Sequence, residues 1–281
     1  MLDAPSLPAV HQVADTVISE THATPADLVV VTLFLLAWRV YPLVTAMLGG
    51  RYGAINVDMA QIRSYWMRVM MRRPDTRLLD ANLIGHTLST ASFFASTNLI
   101  LIAGVGGALF GGERAYRSIE DLPMLAHAPH LFFAAKLGLI LACLALGLMD
   151  FIWAIRQLNY SLALTGAAPH EGDHLRLTRY ADAAGRIFEG ALGSFNSGVR
   201  AYYFAMAAAT WLIGPVAFGL ATFGVMFLLI WRQVGSSAAR GIREARLLID
   251  ELEAEGYCDP LDQAETPTPI GQTTPVPPMP Q

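Results

Sequence analysis

The stretch from Asp80 to Phe110, DANLIGHTLSTASFFASTNLILIAGVGGALF, constrains the fold more than any other. It is too long and too apolar for an ordinary helix of a soluble domain, yet it carries His86, Thr87, Ser89, Thr90, Ser92, Ser96, Thr97 and Asn98. A helix that meets only lipid has no use for so many hydroxyls. The stretch therefore reads as a membrane span, about 81–109, with one face packed on other helices. Small residues let helix backbones approach closely, and hydroxyls bond across such contacts. Ser89, Ser92, Ser96, Gly104 and Gly107 are the expected helix-packing residues, which makes this the expected central helix of a bundle. A polar pathway lined by His86, Thr90, Thr97 and Asn98 is the other use such a face allows. Hydroxyls that bond their own backbone make no channel.

The rest of the chain agrees. Of 281 residues, 54% are hydrophobic and only 15% are charged, where a soluble domain holds about 25% charged residues. The fold class expected is an all-α, multi-span transmembrane bundle with cytoplasmic amphipathic helices. The net charge of −4 gives no basis for nucleic-acid binding. Cys143 sits in an apolar segment and Cys258 in the tail, which is no disulfide framework. All but one of the 19 basic residues are Arg, Lys136 being the exception, a skew that suits a GC-rich bacterial genome.

Residues 1–25 form an acidic extension without Lys or Arg, so they lack the positive start of a cleaved signal peptide. The first span covers about 26–48 and is interrupted by Arg39 and Pro42. Residues 49–79 hold six Arg, with Ile55, Met59, Ile62, Trp66, Val69 and Met70 at spacings of three and four. That is an amphipathic helix, expected along the membrane surface. A third span covers 130–155. Residues 196–232 are long enough for one protruding helix, or for two short spans, 196–213 and 215–232, that turn at Gly214-Pro215. The first gives four spans and the second five. Charge favours five, because Lys and Arg concentrate in cytoplasmic loops. With the N-terminus outside and the C-terminus inside, fifteen basic residues lie inside and two outside. Residues 236–256 read as a cytoplasmic amphipathic helix with Ile242, Ala245, Ile249 and Leu252 on one face. Residues 257–281, rich in Pro and Thr, read as a disordered tail.

Four motifs stand in an order that resembles a known family. They are Ile62-Arg63 with Trp66-Met67 leading to Asp80, the run Phe93–Thr97, the run Trp153 to Tyr160 that contains Arg156-Gln157 and Asn159, and Arg200-Ala-Tyr202-Tyr203-Phe204 followed by Trp211 and Pro215. The resemblance is to the membrane family catalogued as domain of unknown function 599 and covers roughly residues 30–240. It implies a bacterial membrane protein with relatives in plants. It implies no activity.

Three groups of residues are candidates for sites. Ionisable side chains within spans are expensive, about 3 kcal/mol when unpaired even on the lenient insertion scale. Arg39 and Asp150, with Asn82 and His86, are therefore expected to form a polar layer, Arg39 pairing with Asp150. Lys136, near the outer end, is expected to snorkel to the surface. Trp153, Arg156, Gln157, Asn159 and Tyr160, with Arg200, Tyr202 and Tyr203, suit lipid headgroups or the docking of neighbouring helices. Finally, His170-Glu171-Gly172-Asp173-His174 matches the H-E-x-x-H pattern of zinc peptidases. Pro169 and Gly172 work against the helix that pattern requires. No metal is favoured, and His170, Glu171 and His174 are the candidates if there is one.

No other cofactor is expected. The partners expected are membrane lipids and a second copy or another subunit of a membrane complex, with no nucleic acid. The leading reading is a non-enzymatic scaffold, assembly or accessory subunit of the bacterial inner membrane. A small transporter or channel using the polar layer comes second, and a membrane-bound zinc metallopeptidase third.

Overall fold

A computed structural model describes residues 24–52, 54–111, 130–169 and 173–255. The acidic extension before Thr24, the loop before His130, the residues His170 to Gly172 of the zinc-like motif and the Pro/Thr tail lie outside the described residues. The described residues form helices α1 (Pro25–Tyr52), α2 (Ile55–Arg72), α3 (Arg77–Phe110), α4 (His130–Gly166), α5 (His174–Ala209), α6 (Pro215–Val234) and α7 (Ser237–Ala254), with short 3-10 turns at Pro74–Thr76 and Thr210–Leu212. The all-α bundle expected from composition is what the chain builds. Helices α1, α3, α4 and α6 are each long and apolar enough to cross a membrane.

The start of α1 is set by a reciprocal cap. The Asp27 backbone N–H donates to Thr24 Oγ1 at 3.3 Å, and the Thr24 N–H donates to Asp27 Oδ2 at 3.1 Å. Pro25 follows the cap, where its missing N–H costs nothing.

Helices α4 and α5, of 37 and 36 residues, form a long antiparallel pair. At 1.5 Å per residue each is about 55 Å long, well beyond a hydrocarbon core of about 30 Å. Their register runs from the Tyr180 hydroxyl donating to Leu164 O (2.9 Å) at one end to the Phe132 and Trp211 rings (5.5 Å apart) at the other. Midway, the buried Phe151 ring lies on the α5 backbone at Gly198, where an added Cβ would sit 2.7 Å from it.

Beyond Trp211 the chain turns back. Gly214 leaves the helical region (φ 159°, ψ 168°), and Pro215 opens α6. Trp211 stacks on Phe218 at 5.3 Å, and Arg232 donates to the Tyr203 hydroxyl at 2.7 Å. Helix α6 therefore returns alongside α5, as the Gly214-Pro215 signal suggests. Helix α1 runs antiparallel to α5: Asp27 accepts from Trp211 Nε1 at 2.7 Å, Phe34 meets Phe204, and Tyr41 lies under Arg200. The chain thus passes between the two ends of the bundle five times, through α1, α3, α4, α5 and α6. The fifth pass, upper α5, is continuous with the polar segment that begins at His174, so the expected span 196–213 is the end of a longer helix.

Below the spans lies an arginine-rich head of α2, α7 and the lower halves of α3, α4 and α5. Helix α2 is amphipathic, but its apolar side is covered by protein instead of lying free along a surface. Met67, Met70 and Met71 are buried with Phe188, Ala181 and Ala191 of α5. Around that cluster Arg63 pairs with Glu189 (2.6 Å), Arg68 with Asp182 (3.0 Å) and Glu253 (3.5 Å), and Arg246 with the buried Asp58 (3.7 Å).

Two further sequence expectations fail. Helix α3 is an edge helix, not the centre. It faces α4 through Ile84, Ala91, Ala95 and Asn98, whose side-chain N–H donates to Leu144 O at 2.8 Å. Lys136 does not snorkel. It is 3% exposed, with its ammonium 4.7 Å from the Phe132 ring centre and 5.7 Å from that of Trp211. Asp27 is the carboxylate within its electrostatic reach. The aromatic faces and this nearby charge replace part of the water that burial removes.

Candidate functional site

Polar side chains from several helices meet at the level where the spans join the head. Tyr41 from α1, Asn56 from the first turn of α2, Asn196, Arg200 and Tyr203 from α5, and Arg232 and Gln233 from α6 line one cavity there. Local helix geometry explains the convergence on α5: Asn196, Arg200 and Tyr203 are three and four residues apart and share a face. The guanidinium of Arg200 lies 5.1 Å from the Tyr41 ring centre and donates to Ser197 Oγ at 2.9 Å. The Asn56 backbone N–H donates to Gln233 Oε1, and Asn196 Nδ2 to Asn56 Oδ1, both at 3.3 Å. The first turn of the head helix is thereby tied to the end of the last span.

The motif from Trp153 to Tyr160 divides. Gln157 faces α5 at Gly190, with its Oε1 buried and unbonded among the described residues. Trp153, Arg156, Asn159 and Tyr160 face outward, and Arg156 donates to the Tyr160 hydroxyl at 3.2 Å. Tyr202 turns inward and donates to Phe94 O at 2.9 Å, joining α5 to α3.

The other candidates are placed differently. Arg39, Asn82 and His86 are exposed, and the structure does not bring Arg39 and Asp150 together. The charge near Asp150 is Arg200. Arg200 lies on α5 and Asp150 on α4, so only the fold brings them near each other. Ser89, Ser92, Ser96, Gly104 and Gly107 are exposed too, and a Cβ on Gly104 or Gly107 would meet nothing within 4 Å. Two of these serine hydroxyls bond their own helix: Ser89 donates to Gly85 O and Ser92 to Leu88 O, both at 3.0 Å. Of the zinc-like motif, only Asp173 and the backbone of His174 are described, at the start of α5. The described residues contain no group of three or more potential metal ligands.

Arg200 and Tyr203 are legible in the sequence as part of a motif. Tyr41, Asn56, Arg232 and Gln233, from three other helices, are not. The only signal for them was their place at span ends.

The family described as "Protein of unknown function, DUF599" matches residues 29–238. The chain belongs to that family. The DUF599 match covers all five passes and the α2 part of the head, and it ends at the start of α7. The cavity residues all lie within it, whereas the α7 partners of the head, Arg246 and Glu253, lie beyond it. No curated protein and no solved structure matches the chain.

Proposed function

We propose that this DUF599 protein is a non-enzymatic scaffold or accessory subunit of the bacterial inner membrane, associating with a second copy or another membrane subunit through α3. The reading rests on the exposed face of α3. Gly85, Ser89, Ser92, Ser96, Ala103 and Gly107 fall on one side of the helix, about a third of a turn from the stripe that meets α4. They span about 33 Å of helix, the thickness of a hydrocarbon core. In lipid, helices associate by close backbone approach and van der Waals contact, for which small side chains are suited. Two of the hydroxyls on this face, Ser89 and Ser92, are bonded to their own backbone, so a neighbour can cover them without leaving a polar group unpaired. The head, with its excess of Arg, is assigned to the cytoplasm.

Cross-linking tests this. In a chain with Cys143 and Cys258 replaced by Ser, Ser96→Cys is expected to give a cross-linked dimer or an adduct of defined mass in native membranes. Phe223→Cys, on the exposed side of α6, is expected to give none. If Ser96→Cys stays monomeric and the protein in nanodiscs is a lone chain, the reading is wrong.

A further inference from the structure

The cavity between the spans and the head brings two arginines together with no carboxylate in its wall. Arg63, Arg68, Arg73 and Arg246 of the head each reach a carboxylate within 4 Å. Arg200 and Arg232 do not, among the described residues. Arg200 stacks on Tyr41, and Arg232 bonds a neutral hydroxyl. No Asp or Glu lines the cavity. Asp150, the nearby carboxylate, is outside it and offsets at most one of the two charges. Helix α2 also begins here, with the Asn56 N–H bonded to Gln233 and Asp58 of the same turn paired with Arg246. Neutral donors and acceptors from Tyr41, Asn56, Tyr203 and Gln233 complete the wall.

Size narrows the ligand. The cavity holds about 210 Å³. Small-molecule sites run about 300–1,000 Å³. A phosphate group with a few further atoms suits the space, and two guanidinium groups suit a phosphate, which they bind through paired N–H donors. Depth points the same way. Arg232 lies 17 residues past Pro215, about 25 Å of helix. That distance from the far end is close to the thickness of a hydrocarbon core, which puts the cavity at headgroup level.

We propose that the Arg200–Arg232 cavity binds a phosphate group, carried by an anionic phospholipid headgroup or by a soluble phosphate ester. The site does not depend on the α3 contact.

The test uses the full chain, with native mass spectrometry of protein exchanged into mixtures of phosphatidylglycerol and phosphatidylcholine. In parallel, glycerol 3-phosphate and inorganic phosphate are titrated against the detergent-purified protein while its melting temperature is followed. Phosphatidylglycerol is expected to be retained at least tenfold over phosphatidylcholine, and Arg232→Gln is expected to remove about tenfold of that preference. Arg232 is exposed, so this variant keeps the fold, whereas Arg200→Gln also removes a contact with Tyr41. Arg179→Gln, an exposed arginine at the far end of α5, is expected to change nothing. Stabilisation by glycerol 3-phosphate or inorganic phosphate that Arg232→Gln abolishes, without lipid preference, supports the phosphate site and assigns it to a soluble ligand. Two results would overturn the proposal: neither lipid preference nor phosphate stabilisation, or a loss in Arg179→Gln as large as in Arg232→Gln.

Discussion

At the scale of single residues, glycine does two opposite things in this chain. Gly198 lets the Phe151 ring reach the α5 backbone, and an added Cβ would stand 2.7 Å from the ring. Phe151 is fully buried, with Phe94, Phe195 and Tyr202 around it, so it has little room to retreat. Gly198→Ala is expected to lower stability by about 1–3 kcal/mol through overpacking, despite the about 1 kcal/mol that Ala gains over Gly in a helix. Gly104→Ala meets open space and is expected to leave the isolated chain unchanged or slightly more stable. Thermal unfolding of the two variants in one detergent checks this. Equal melting temperatures would mean that α4 and α5 are not as close as described. Buried charge shows the same local control. Asp80, 2% exposed, accepts from Trp66 Nε1 at 2.8 Å, and this bond links two residues of the first family motif.

At the scale of elements, α2 is held to α5 by apolar contact and by ion pairs of unequal weight. Arg63 is 12% exposed and Glu189 35% exposed, so this pair is better shielded from water than Arg68 with Asp182, at 37% and 34%. Exposed pairs contribute about 0–1 kcal/mol, and partly buried charge-assisted bonds more. Arg63→Glu, which sets two carboxylates together, is expected to cost about 1–3 kcal/mol. Adding Glu189→Arg is expected to recover at least half of that loss, measured as a coupling in a double-mutant cycle. The same helix shows what a single sequence can convey. The 3.6-residue period of α2, the length of α3 and the Gly214-Pro215 break are local, and each was legible. Which face meets what is not local. The α3 hydroxyls suggested a contact, but a hydroxyl bonded to its own carbonyl four residues back carries no information about neighbours. The stripe that does pack, Ile84, Ala91 and Ala95, looks like any lipid-facing sequence. Lys136 reads as a snorkelling residue until Trp211 and Asp27 are folded around it. In the cavity, Arg200 and Tyr203 stood out in sequence, while Tyr41 and Arg232 needed the fold to join them.

At the scale of the whole molecule, the number of passes decides where the ends lie. Hydropathy finds four apolar helices, and the path of the chain makes five passes. The difference is upper α5, which carries Arg200 and whose Ala201, Phe204, Ala205 and Ala208 are buried inside the bundle. A helix surrounded by other helices does not need the apolar composition that lipid demands, so a hydropathy window undercounts it. Five passes put Thr24 and Val234 at opposite ends. Asp27 contacts Trp211 at one end, and Arg232 contacts Tyr203 at the other. With the head in the cytoplasm, Gly111→Cys in a cysteine-free chain is expected to react with an impermeant maleimide added to intact cells. Arg179→Cys and Arg240→Cys are expected to react only after the membrane is opened. A protein with four crossings that kept α5 and α6 as one protruding helix would leave Arg240 on the same side as Gly111. Labelling of Arg240→Cys in intact cells would therefore contradict the return of α6. It would also detach the Arg232 side of the cavity from Arg200 and Tyr41, because the site exists only where the end of α6 comes back to the level of the head.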